Sequence, residues 1–207
     1  MVTQIISFLS ILTVMLLLRN MVSVFPSLIA CVIRTKENMN LEASVKLGRN
    51  RDLIAASMIP IFCLIVSKYK LYDISFLNGY LQDARFGLTV AIFAAYVLFR
   101  MAVCRLIKPQ RIPKKTYTTA ANASRTFFIV LTLALLSCGG IYSILGLDTG
   151  SARNAMLWIS AIIYFIFIIR KSEIFISCCS VFTAFLYLCA LEIIPTGTLV
   201  VSAIIFS

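Results

Sequence analysis

The 207-residue chain contains no histidine. That absence removes imidazole acid–base chemistry, Ser-His and Cys-His nucleophile activation, and imidazole metal ligation. Charge is scarce: 13% of residues are Asp, Glu, Lys or Arg, where a soluble domain carries roughly a quarter. Acidic residues are scarcer still, 8 against 19 basic ones. No segment between the apolar runs reaches the ~50 residues of a separate globular domain. The seven cysteines, Cys31, Cys63, Cys104, Cys138, Cys178, Cys179 and Cys189, form no C-x-x-C pair and lie in or beside apolar runs. Buried cysteine behaves as a small hydrophobe, so neither a disulfide framework nor a thiolate metal site is expected. No Gly-rich phosphate loop and no acyl-transfer triad can be assembled. No catalytic residue, metal or cofactor is therefore expected.

What the sequence does have is apolar length. Hydrophobic residues make up 61% of it, in runs that approach the ~20 residues needed to cross a bilayer. The pattern predicts one all-α membrane domain over residues 1–207, a polytopic helical bundle of about six transmembrane helices. The spans fall at about 2–18, 53–67, 87–107, 127–147, 154–170 and 180–206. The first run lacks a basic leading region and a small-residue cleavage site, so it reads as a retained span. After it comes "RNMVSVFPSLIACVIRTK", with Met21, Val24, Phe25, Leu28 and Val32 at helical spacing among Asn20, Ser23 and Ser27. This fits an interfacial helix over about 20–33, anchored by Arg19, Arg34 and Lys36. One long tilted helix kinked near Pro26 is the alternative.

The basic residues are distributed unevenly. Loops after spans one, three and five hold Arg34, Lys36, Lys46, Arg49, Arg51, Arg105, Lys108, Arg111, Lys114, Lys115, Arg125, Arg170 and Lys171. The opposite side holds Lys68, Lys70, Arg85 and Arg153. Positive charge marks the cytoplasmic side, which puts both termini outside the cytoplasm. The same bias accounts for a net charge of +11 without nucleic acid as a partner. "NAS" at Asn122 falls in a loop predicted to be cytoplasmic, so it does not read as a glycosylation site.

One residue breaks the pattern. Glu192 stands inside "LYLCALEIIP", in a run otherwise apolar from Ile174 to Phe206. An ionised carboxylate in hydrocarbon costs a few kcal/mol, so it needs a partner, water or a proton. If the last helix begins at Ile174, Glu192 falls near the outer end, within reach of Lys68, Arg85 or Arg153. If it begins near Ser180, Glu192 lies at depth, and Arg100 of "AAYVLFRMAVC" is the attractive partner. The two would form an intramembrane polar site or clamp. Pro195 leaves a backbone carbonyl one turn earlier without a donor and marks a kink or packing point. Gly139 and Gly140, in "SCGGIYS", allow close helix approach or a hinge.

The C-terminal stretch "FLYLCALEIIP" also carries a resemblance. It is similar to the closing signature of an uncharacterised family of multi-pass inner-membrane proteins of Bacteroidota, domain of unknown function 4271. "LLLRNMVSVFP" and "YVLFR" echo it more weakly, and "TGTLVV" after Pro195 departs from its aliphatic tail. The resemblance spans nearly the whole chain, implies a bacterial inner-membrane protein with Glu192 at depth, and implies no reaction. The function expected is a non-catalytic accessory or scaffold subunit of a cell-envelope membrane complex. Its partners would be the lipid bilayer and a further membrane protein. A small transporter or channel built on Glu192 and Arg100 is the second reading, and an enzyme acting on lipid-linked substrates the third.

Overall fold

A computed structural model describes residues 2–34, 44–72, 82–106, 114–146, 148–177 and 179–206, and these hold helices and no strand. The order is α1 (Val2–Ile33), α2 (Val45–Lys68), α3 (Gln82–Leu106), α4 (Lys114–Ile144), α5 (Thr149–Ile176), α6 (Val181–Leu188), a π-helical turn (Cys189–Ile193) and α7 (Ile194–Phe206). Among the described residues, five helical segments are long and apolar enough to cross a membrane, and α1 makes a sixth if its two halves count together. The chain is an all-α integral membrane protein. Of the basic loop residues, Lys36, Lys108 and Arg111 lie outside the described residues.

The helices run well past the apolar segments that announce them. α4 has 31 residues, about 46 Å at the helical rise, against a hydrocarbon core of about 30 Å. Its first turns, "KKTYTTAANAS", are polar but contain no helix breaker, so the helix continues through the interface. Ser44 caps α2 by accepting from the Leu47 amide. Asp148 caps α5 by accepting from the Gly150 amide at 3.1 Å. α5 continues to Ile176, not to about 170, so Arg170 and Lys171 are helical residues. That corrects their placement in a loop: one basic pair does not end a helix whose apolar face resumes at Ile174 and Phe175.

α1 is bent by 78° between Gln4–Leu16 and Arg19–Val32, beside Arg19 and away from Pro26, which the helix carries without a break. In the second half Val24, Leu28 and Cys31 are buried, while Val22, Phe25 and Ile29 form an exposed apolar stripe. Val24 and Leu28 join one core with Ile54, Met58 and Ile65 of α2, Ile129 and Leu135 of α4, and Met156 of α5. A second core joins Ala120 and Ala123 of α4 to Ile174 and Phe175 of α5 and to Ala184 and Leu188 of α6. α4 serves both cores. Phe62, Phe93 and Phe128 tie α2, α3 and α4 with ring centroids 5.4–5.9 Å apart.

The two glycines of α4 differ. A Cβ on Gly139 would stand 3.0 Å from Met156 Cε and 3.1 Å from Tyr69 Oη. The Gly139 carbonyl accepts the Tyr69 hydroxyl at 3.1 Å. Gly140 is exposed and, unlike Gly139, has nothing within 4 Å of such a Cβ. Gly139→Ala is expected to destabilise the folded protein by about 1–3 kcal/mol, the usual penalty for overpacking. Gly140→Ala is expected to be neutral or slightly stabilising, since alanine is the better helix former. Unfolding in a detergent titration checks both.

Candidate functional site: a buried carboxylate between two cations

The last span runs as one membrane-length segment from Val181 to Ala203. Its helix begins after Ser180, whose hydroxyl accepts from the Thr183 amide. Glu192 is therefore 11 residues inside it, about 16 Å along the axis. Here the helix changes its winding. The Ile194 amide donates to the Cys189 carbonyl, five residues back, and Cys189–Ile193 form a π-turn. Pro195 follows at once. It has no N–H for the Leu191 carbonyl, so the regular i→i−4 ladder is already interrupted at this point. A π-turn inserts one residue into the helix and re-aims the side chains around it. The helix then continues to Phe206, so Pro195 does not end it, and Pro195 is itself fully buried.

Glu192 is 2% exposed. Its Oε1 accepts from two cations on two other helices, Arg100 Nη2 of α3 and Lys171 Nζ of α5. Arg100 Nη2 also donates to Ser124 Oγ of α4 at 2.6 Å. The Tyr164 hydroxyl of α5 donates to the Glu192 carbonyl at 3.3 Å. One turn further along, Tyr96 Oη and Thr196 Oγ1 hydrogen-bond at 3.3 Å. One carboxylate thus connects α3, α5 and the π-turn directly, and α4 through Ser124.

The two cations reach Glu192 differently. Lys171 is 3% exposed, and its ammonium also lies 5.4 Å from the centroid of the Phe167 ring, one turn earlier. Desolvated contact with an aromatic face favours a cation. The Arg100 side chain keeps 25% of its surface exposed. It stands six residues before the end of α3, about 9 Å along the axis, so its length carries the guanidinium from the boundary inward.

A second charged cluster lies beside the first. Asp52 of α2 accepts from Arg51 at 2.9 Å on Oδ1 and from Arg125 of α4 at 2.5 Å on Oδ2. Arg125 directly follows Ser124, so consecutive residues of α4 serve the two clusters. Each cluster sets two cations against one carboxylate. Asp52 and Arg125 end the polar beginnings of their helices, and Lys171 follows the main apolar run of α5. These three stand where the apolar runs of their helices begin or end, whereas Glu192 lies midway along its own span, Val181–Ala203.

The structure brings Glu192 and Arg100 together and places Pro195 directly after their turn. Gly139 is elsewhere, near the other end of α4 against Tyr69 and Met156. Sequence reasoning missed Lys171. The available signal was spacing: Phe167, Lys171, Ile174 and Phe175 repeat at helical intervals, and all four are buried. No family model, no curated protein and no solved structure matches the chain.

Removing one partner of a buried ion pair costs about 3–5 kcal/mol, because a charge is left uncompensated. Glu192→Ala strands two cations and is expected to lie at or above that range, with Glu192→Gln close behind. Arg100→Leu added to Glu192→Ala still leaves Lys171 buried, so it is expected to restore little. Adding Lys171→Met as well replaces the whole cluster with apolar groups and is expected to recover most of the loss. Equilibrium unfolding of the four variants checks the series.

Proposed function

We propose that this protein is a non-catalytic subunit of a bacterial inner-membrane complex, an accessory or scaffold component of the cell envelope. The observation that carries the reading is the sealing of Glu192. A transport carboxylate must exchange its partner with water or cargo, whereas this one is buried under two fixed cations. Such a clamp defines helix packing where apolar contacts alone specify little, since lipid tails compete equally for them.

The packing of α3 supports the same reading. Only 6% of its apolar window, Arg85–Cys104, is buried within the chain. Val90, Val97, Leu98, Phe99 and Met101 are all exposed. The clamp holds this helix by Arg100 while leaving most of its surface to lipid or to a membrane-protein partner. The excess of basic residues around the first, third and fifth loops supports placing that side in the cytoplasm, with both ends of the chain outside it. The likeness of "LYLCALEIIP" to the Bacteroidota family supports the inner membrane. A small transporter or channel is the second reading, favoured by the partial exposure of Arg100 beside a buried acid.

Affinity purification in mild detergent with mass spectrometry tests the proposal. A stoichiometric membrane protein is expected with the wild type and is expected to be lost from Leu98→Arg, which changes the exposed face and leaves the clamp intact. A solitary, folded protein in both samples turns the reading to transport. Alkaline phosphatase fused to the C-terminus is expected to be active in bacteria, and an inactive fusion reverses the orientation.

A further inference from the structure

The clamp is not balanced. Two cations, Arg100 and Lys171, meet one carboxylate, and among the described residues no second acid meets either of them. We propose that the missing negative charge comes from a partner membrane protein, as an Asp or Glu within a transmembrane helix that packs beside Arg100. The inference rests on the scaffold reading and gives the partner its chemistry.

The two cations differ in what they leave free. Lys171 and Glu192 are both buried and pair one to one. The surplus charge therefore falls on Arg100, whose side chain keeps 25% of its surface exposed. Both of its hydrogen bonds, to Glu192 and to Ser124, come from Nη2. Nε and Nη1 have no partner among the described residues. They are not buried either, since Thr126 Oγ1 is the one buried side-chain polar atom left unpaired among those residues. Two guanidinium nitrogens with free N–H donors thus reach the outer surface of the bundle. Such donors bond most strongly to an ionised acceptor.

Depth decides the kind of acceptor. Arg100 lies inside the apolar window of α3, Arg85–Cys104, and is tied to Glu192, midway along Val181–Ala203. A lipid phosphate stands outside the hydrocarbon, whose half-thickness is about 15 Å. The Nη2 bond to Glu192 keeps the guanidinium from extending toward it. Against hydrocarbon alone a net positive cluster is costly, and charges at this depth pair with one another. Val97, Leu98, Phe99 and Met101, around Arg100 in sequence, are exposed and apolar, a surface that a transmembrane helix can cover. A second copy of this chain offers no such acid. Of its eight acidic residues only Glu192 stands alone in an apolar run, and the clamp already uses it. The partner is therefore a different protein.

The test uses the full chain purified in mild detergent and read by native mass spectrometry. Arg100→Leu removes the surplus charge and leaves Lys171 paired with Glu192, so the bundle is expected to keep its fold. It is expected to lower recovery of the stoichiometric companion about tenfold or more, the loss of one interfacial charge pair. Arg100→Lys keeps the charge and is expected to keep the companion. The companion is expected to carry an Asp or Glu inside an apolar span. Replacing that acid by Leu leaves this chain untouched, and is expected to release the wild type but restore binding to Arg100→Leu. If Arg100→Leu fails to fold, the partner's variant decides alone: release of the wild type supports the inference and retention overturns it. A companion kept by folded Arg100→Leu, or one with no acid in a span, overturns the inference, even where Leu98→Arg releases it and the scaffold reading stands. A solitary wild type overturns both. Phosphatidylglycerol held by wild type and lost from Arg100→Leu, with no protein beside it, would assign the free donors to a lipid phosphate and overturn the partner helix.

Discussion

A single carboxylate oxygen shared by a guanidinium and an ammonium constrains most of this bundle. Arg100 and Lys171 come from helices that have no other reason to meet at one point. Each would be costly to bury without Glu192. With it, α3, α5 and the last span are fixed in both rotation and depth, and Ser124 extends the constraint to α4. Apolar packing in lipid supplies cohesion but little choice among registers. The charges supply the choice. Replacing a buried ion cluster by apolar groups is often neutral or stabilising in other proteins, so what the clamp contributes here is a defined arrangement more than bulk stability.

The backbone adapts to that requirement. The π-turn at Cys189–Ile193 occurs where Glu192 must point, and Pro195 stands at its end. A proline that cannot donate and a helix shifted to i→i−5 bonding are two parts of one local solution. The second cluster, on Asp52, repeats the arrangement with Arg51 of α2 and Arg125 of α4. Consecutive residues of α4, Ser124 and Arg125, belong one to each. α4 also contributes to both apolar cores, which makes it the axis around which the other helices are set.

Much of this could be read from the chain before folding, and the reasons are physical. Long apolar runs declare spans because lipid tolerates little else, and the all-α class follows from that. Glu192 and Arg100 stood out because a charge within an apolar run is conspicuous. Lys171 did not, because it sits beside Arg170 where an apolar run is interrupted, and a basic pair there reads as a loop. Only the resumption of apolar spacing at Ile174 and Phe175 told against a loop. The bend in α1 lies beside Arg19, the first charge after an apolar run, where sequence placed its boundary. The Asp52 bridge was not legible: two adjacent charges on α2 and one arginine on α4, 73 residues apart, reveal their pairing only when the helices are assembled. Gly139 and Gly140 look equivalent in sequence and differ because helix rotation turns one toward Tyr69 and leaves the other facing outward.

Glu192 serves the bundle as a carboxylate counter-ion held between two cations. Infrared difference spectroscopy of the membrane-reconstituted protein, wild type minus Glu192→Gln at neutral pH, tests it most directly. The substitution is expected to remove carboxylate stretching bands and to leave the protonated-carboxyl region unchanged. Loss of a protonated-carboxyl band would show that Glu192 carries a proton, and the clamp as described would be contradicted.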